Sequence, residues 1–223
     1  MTFVLFHLPL SAPCRFVRLL LSEKRLPFDL QYEKVWEGRE AFLQMSPAGE
    51  VPVLVYPEGL AVYQAWVISE TLEETHPDPT LLGLGRPDRT EARRLLAWFE
   101  GPFAREVTDN LVGEKVMKRL FGYGQPNSDA IRTGLGCLHD HLAYVDGLAE
   151  QRRWLAGDYL TVADLAAAAH LSAIDYLGNV PWSEYPEARL WYARVKSRPG
   201  FRPLLADRVP GLQPAAHYED LDF

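Results

Sequence analysis

The stretch LTVADLAAAAHLSAIDYLG, residues 160–178, decides how the C-terminal half folds. It is small and apolar nearly all round the helical period, and a helix without a polar face belongs at the centre of a bundle. Thr161 stands where a cap is needed, with Asp164 three residues on to answer the cap's own amide. Leu160 before the cap and Leu165 inside the helix can close a hydrophobic staple. Asp164 and His170 interrupt the apolar run, which is too short and too mixed to span a bilayer.

Outward from this helix the pattern stays helical. TEARRLLAWFEGPFAREVTDNLV (90–112) is amphipathic, with Leu95, Trp98 and Phe99 on one side. SDAIRTGLGCLHDHLAYVDGLAE (128–150) is a second helix, weakened by Gly134 and Gly136. YPEARLWYARVKSRPG (185–200) and FRPLLADR (201–208) finish an all-helical domain over 88–208. His139 and His141 lie two apart, a spacing that does not bring helical side chains together. They read as solvated residues, and no metal site is expected.

The first half reads differently. TFVLFHL is a strand ended by Pro9, and APCRFVRLLLSEKRL has helical periodicity. FDLQYEKV alternates as a second strand, and GREAFLQM is a short helix. VPVLVYP and LAVYQ are strands joined by a turn of hairpin length, and AWVISETLEETHP is a helix stopped by Pro77. Strand, helix, strand, helix, strand, strand, helix is the order of a thioredoxin-like domain, here over 1–79. The Pro- and Gly-rich segment around 80–87 reads as a linker, and 209–223 as a C-terminal tail.

The 223 residues carry a formal net charge of −7 and 48% apolar residues. A proper core can form, and the acidity argues against a general nucleic-acid or membrane-surface binder. Two cysteines, Cys14 and Cys137, suit a reducing cytosol. The start MTFVLFHLPL lacks basic residues and meets Pro9 early, so it does not read as a signal peptide.

LSAPCRFVRLLL (10–21), SPAGEVPVL (46–54) and WLAGDYLTVADL (154–165) together resemble the glutathione transferases over nearly the whole chain. The resemblance implies a thioredoxin-like domain followed by a helical bundle, assembled as a homodimer. It places Ser11 where serine- or cysteine-type members activate the glutathione thiol, with Cys14 facing the same way. A serine there can equally be a plain helix cap. The resemblance also makes the Val51–Pro52 bond cis and pairs the Val51 backbone with glutathione. Gln64–Ala65 then stands where the family carries Glu-Ser, whose hydroxyl holds the γ-glutamyl carboxylate. Losing that hydroxyl costs about 1.5–3 kcal/mol, so glutathione binding is expected to be weak, and no cofactor is required. Trp66, next in the chain, is expected to pack into the domain or a dimer interface.

The chain ends in HYEDLDF (217–223), which lies outside the ordinary transferase pattern. With the altered carboxylate site and the tryptophan of VWEGRE (35–40), this end resembles the FzlA family of transferase-like cell-division proteins. That resemblance implies a cytoplasmic protein at the division site that binds FtsZ and promotes constriction. It further implies that the tail docks on the septal cell-wall synthesis machinery. The partner-binding candidates are Trp36, Tyr218, Asp220, Leu221, Asp222 and Phe223. In an extended tail Glu219, Leu221 and Phe223 face one way, and Tyr218, Asp220 and Asp222 the other. Folded back on the body, the same residues would be structural. The alternative function is an active glutathione transferase or glutathione-dependent thiol reductase using Ser11.

Overall fold

The computed structural model describes residues 2–221. Strand β1 (Phe3–His7) runs parallel to β2 (Phe28–Tyr32) and antiparallel to β3 (Val53–Val55), which pairs antiparallel with β4 (Ala61–Tyr63). The sheet order is β2-β1-β3-β4, with β2 at one edge. Helix α1 (Ala12–Glu23) follows β1, the short α2 (Glu40–Leu43) follows β2, and α3 (Ala65–Thr75) follows β4. Leu5 and Leu54, on neighbouring strands, are fully buried, as are Phe16 and Leu20 of α1. The alternation in β2 makes a strand but no core: Leu30 and Tyr32 remain over two-fifths exposed.

The helical half begins earlier than the sequence suggests. Helix α4 (Arg86–Trp98) starts inside the expected linker. The segment before it is packed rather than loose. Leu81 and Leu82 are buried, the Leu81 carbonyl accepts from the Val162 amide at 2.7 Å, and the Leu81 amide donates to Glu73 at 3.0 Å. Beyond Trp98 the chain continues as a π-helical segment, Phe99–Met117, and then as α5 (Lys118–Leu120). Pro102 lies within this stretch, where it contributes no N–H. Helix α6 (Ser128–Gln151) crosses the π segment at Gly134, where a Cβ would come within 2.7 Å of the Asn110 Cβ. The glycine that weakens the helix in isolation therefore permits the close crossing.

Helix α7 (Val162–Tyr176) is the buried centre: every one of its residues is buried. Asp164 organises its start. Its carboxylate accepts from the amides of Leu155 at 2.8 Å and Thr161 at 2.9 Å, from the Thr161 hydroxyl at 3.1 Å, and from the Trp191 indole at 2.9 Å. Thr161 thus spends its hydroxyl on the aspartate, and a buried acid becomes fully satisfied. Helices α8 (Pro186–Lys196) and α9 (Arg202–Leu205) complete the bundle.

His141 corrects its expectation. It is buried, taking the Trp98 indole N–H at 3.1 Å and facing Glu106 at 3.1 Å, whereas His139 stays at the surface against the Tyr185 hydroxyl. Trp98 is half-buried against His141 and Tyr144, and Phe99 is fully buried, so the apolar side of this helix faces the bundle core. Trp66 is the reverse case, 54% exposed.

The tail does not behave as an independent extended segment. Residues 216–219 form a turn, and Tyr218 is fully buried. Its hydroxyl accepts from Arg15 at 2.9 Å and donates to the Leu204 carbonyl at 3.2 Å. His217 meets Asp175 at 2.8 Å, and the Asp220 carbonyl accepts from Lys196 at 2.6 Å. Deleting residues 218–223 should therefore lower unfolding stability in urea by about 3–5 kcal/mol, the range for emptying a large aromatic site. An unchanged midpoint would show that Tyr218 contributes nothing to the fold.

Candidate functional site

The two domains meet at a cleft of about 600 Å³. One wall is the start of α1. Ser11 precedes the helix with its carbonyl accepting from the Arg15 amide at 2.9 Å, and Ala12 and Pro13 form the first turn. The Ser11 hydroxyl makes no cap bond to the helix, so capping does not account for it. Ser11 lines the cleft, but Cys14 does not share that position. Cys14 is fully buried, and burial pushes its thiol up to about 11 against the opposing influence of a Ser11 hydrogen bond. A thiol held there stays protonated and unreactive at neutral pH.

The Val51–Pro52 bond is cis. Val51 faces both this cleft and an adjoining pocket of about 220 Å³ at the start of α3. Gln64 and Ala65 line the smaller pocket with Pro52, Tyr63 and Trp66. Gln64 adopts φ +67, a left-handed conformation uncommon for a residue with a side chain, and this aims the following helix start at the pocket. Ala65 is almost completely buried and brings no hydroxyl. Glu100 reaches the same pocket from the π segment. It is held by the imidazole of His170 at 3.3 Å, whose other nitrogen meets the Thr108 hydroxyl at 2.8 Å.

The opposite rim of the cleft is aromatic. Trp36 sits half-buried in a tight turn over Val35–Glu37 that ends at Gly38 in a left-handed conformation. Its ring lies 5.5 Å from that of Phe121, which lies 5.5 Å from Tyr123, itself 70% exposed. The structure thus gathers Ser11, Val51 and Trp36 around one cleft, and Pro52, Gln64 and Ala65 around its neighbour. The rest of the proposed partner set lies elsewhere, on the tail.

Tyr218 is a correction: a side chain fully buried against Arg15 is not available to a partner in this state. Glu219 and Asp220 are exposed, with Glu219 paired to Arg208, and Leu221 is half-buried. Asp222 and Phe223 lie outside the described residues.

Sequence reasoning missed Phe121, Tyr123 and Asp109. The FGYG run (121–124) carried a signal, since an aromatic between two glycines favours an exposed turn. Asp109 carried none, because its place in the cleft depends on the packing of the two domains. The charged residues lining the cleft are Glu50 and Asp109, both acidic, and no basic residue stands among the described residues that line it. Glutathione bears net negative charge, so neither its carboxylates nor its thiolate finds an opposite charge here. Among the described residues no cluster of His, Cys, Asp and Glu could hold a metal, and no helix is long and apolar enough to cross a membrane.

Comparison with known proteins places this architecture. Residues 5–80 match the model of the glutathione S-transferase N-terminal domain, and residues 120–199 that of the C-terminal domain. FtsZ-localized protein A of Caulobacter vibrioides is 49% identical over 222 residues, spanning 98% of this chain and 97% of that protein. The structure of FzlA from C. crescentus superposes with a TM-score of 0.96 at 48% identity, covering both chains fully. A glutathione S-transferase structure from Rhodospirillum rubrum F11 superposes with a TM-score of 0.97 at 51% identity, again over both full chains. The chain belongs to the glutathione S-transferase superfamily and, within it, to the family of FzlA.

Proposed function

We propose that this chain is a cytoplasmic, non-catalytic cell-division regulator that binds FtsZ filaments at the division site and promotes constriction. The observation that carries the reading is its 49% identity, along nearly its whole length, to a protein named for its localisation with FtsZ. The cleft supports it from the other side. Ala65 removes the hydroxyl that would hold a γ-glutamyl carboxylate, Cys14 is locked as a thiol, and the lining charges are acidic. A transferase site would need a helix start and donors that favour a thiolate.

The aromatic rim of Trp36, Phe121 and Tyr123 is the FtsZ-docking surface in this reading, since large rings on loops anchor protein partners. Trp66 and Ala97, exposed on α3 and α4 beside Gly101 of the π segment, form the face that closes a homodimer in this reading. Past the Tyr218 anchor, Glu219, Asp220 and Leu221 begin the docking segment for the septal wall-synthesis machinery. Acidic groups beside an apolar one suit a basic, partly apolar receptor.

The alternative, a glutathione-dependent enzyme, retains one favourable observation: the Ser11 hydroxyl lines the cleft beside Val51.

With purified FtsZ and GTP, the wild-type protein should co-pellet with filaments, and Trp36→Ala should weaken pelleting by about thirtyfold, as loss of an anchor residue does. A wild type that stays in the supernatant sinks the reading. Removing only residues 221–223 should leave melting and pelleting unchanged while constriction in cells slows; normal constriction would show that this end is idle. Calorimetry should find glutathione binding in the millimolar range or weaker, with Ala65→Ser tightening it about tenfold. Tight binding by the wild type, with turnover abolished by Ser11→Ala, would instead establish the enzyme.

A further inference from the structure

We propose that the interdomain cleft receives a basic side chain, an arginine or lysine borne beside an apolar residue on an extended segment of a protein partner. This rests on the docking function proposed above and specifies the chemistry of what the cleft takes in.

The central group is Asp109, on the π segment. It lines the cleft and is accessible to solvent, yet no hydrogen bond or ion pair reaches its carboxylate among the described residues. Surrounding protein raises its carboxyl above the usual range, with the nearby His170 acting in the opposite direction. Being crowded and open at once is the condition of a group on the wall of a concave site. Both nitrogens of His170 are already engaged, by Thr108 and Glu100, so the imidazole makes no hydrogen bond to Asp109. Ser11 and Thr108 are its polar neighbours in the lining, and neither carries charge.

The charge balance selects the ligand. Glu50 is the other charged lining residue, and it too is acidic and exposed. An anionic ligand would be repelled by both. A neutral apolar ligand would desolvate Asp109 and leave it unpaired, which costs free energy. A cation placed against Asp109 makes a charge-assisted hydrogen bond in a partly desolvated setting, where such bonds are strongest.

The rest of the lining fits the body of a basic side chain. Met117, Val112 and Leu10 provide apolar surface for its methylene stem, which long cationic side chains pack while keeping the charged head on a polar partner. Trp36 and Phe121 present ring faces at the rim, suited to a guanidinium passing over them. The exposed Tyr123 extends this rim beyond the cavity, where a neighbouring apolar residue of the same segment would lie. A small free polyamine would fill the cavity and leave the rim uncovered; a peptide segment uses both.

The test pairs a filament assay with a defined peptide. In FtsZ co-pelleting, Asp109→Lys should weaken binding about thirtyfold or more, and the isosteric Asp109→Asn about tenfold. Glu150→Lys makes the same charge change 16 residues along α6 from Gly134, the glycine that meets Asn110 and Leu111. That is roughly 24 Å of helix, so its binding should stay within about twofold of wild type. Equal weakening by Glu150→Lys, or none by Asp109→Lys in a protein that melts normally, overturns the proposal. Independently, isotope-labelled protein titrated with N-acetyl-phenylalanyl-arginine amide should show saturating amide shifts at Asp109 and Gly113. The peptide with neutral citrulline in place of arginine should bind about tenfold more weakly. Equal shifts from both peptides, or none from either, also overturn it. A wild type that fails to pellet would refute FtsZ docking alone, and the peptide arm would still decide the chemistry of the cleft.

Discussion

One buried guanidinium holds the two domains and the tail together. Arg15 is fully buried, and its donors are met by the Pro9 carbonyl at 2.7 Å, Ser172 at 2.8 Å, Tyr218 at 2.9 Å, the Leu204 carbonyl at 3.4 Å and Asp207 at 3.1 Å. Asp207 also takes Arg18 at 2.7 Å. A buried charge is costly unless every donor is satisfied and a counter-charge lies close, and both conditions are met here. The partners come from the loop before α1, from α7, from α9 and the segment just after it, and from the tail. Losing any of them leaves a desolvated donor, so these parts of the molecule are energetically one unit. His7 lies in the same electrostatic environment. Burial first, and the nearby Arg18 next, push its imidazole down to about 4, which keeps a further positive charge out of the cluster.

The regular elements were legible because their signals are local. Helix α7 declares itself by being apolar on all sides, and Asp164 by standing three residues after Thr161. The strands showed as short apolar runs bounded by turn residues, and their order along the chain with the helices pointed to the thioredoxin-like domain. What was not legible depends on partners distant in sequence. Tyr218 looks like a free docking aromatic until Arg15, 203 residues earlier, is seen to bond it. His141 looks solvated until Trp98 and Glu106 close over it. The apparent linker looks loose because of its Pro and Gly residues, yet Leu81 and Leu82 are core. At the site, Ser11, Val51, Trp36 and Ala65 could be named from motif positions. Asp109 could not, since nothing around residue 109 distinguishes a cleft acid from a surface one.

In the proposed reading, the cleft keeps the transferase fold while its side chains favour a different ligand. The parts that shape the backbone are all present: the cis Val51–Pro52 bond, the left-handed Gln64, α1 opening toward the cleft and α3 toward the pocket beside it. What sets the ligand chemistry is a few single side chains. Alanine at 65 removes a hydroxyl, and acids at 50 and 109 give the lining negative charge with no base beside them. Backbone shape is maintained by the core, which constrains it strongly, whereas side chains lining a cleft change at little cost to stability. A new ligand class therefore needs few substitutions.

The same division explains which parts of the cleft can adapt. The α1 wall carries Ser11, Ala12 and Pro13 one turn before Arg15, and the many bonds to that guanidinium fix the start of the helix. The facing rim is built on loops. Trp36 lies in a three-residue turn ending at Gly38, and Phe121 and Tyr123 alternate with Gly122 and Gly124, all three glycines in the left-handed region. A rigid wall lowers the ordering cost of binding, because that side of the cleft is already in place. A rim of large rings on glycine-hinged turns can settle over side chains of different shape. In the proposed docking, charge recognition falls to Asp109 on the π segment and shape adaptation to the aromatic loops. That arrangement suits the filament-docking role proposed above, in which the occupant is a protein surface.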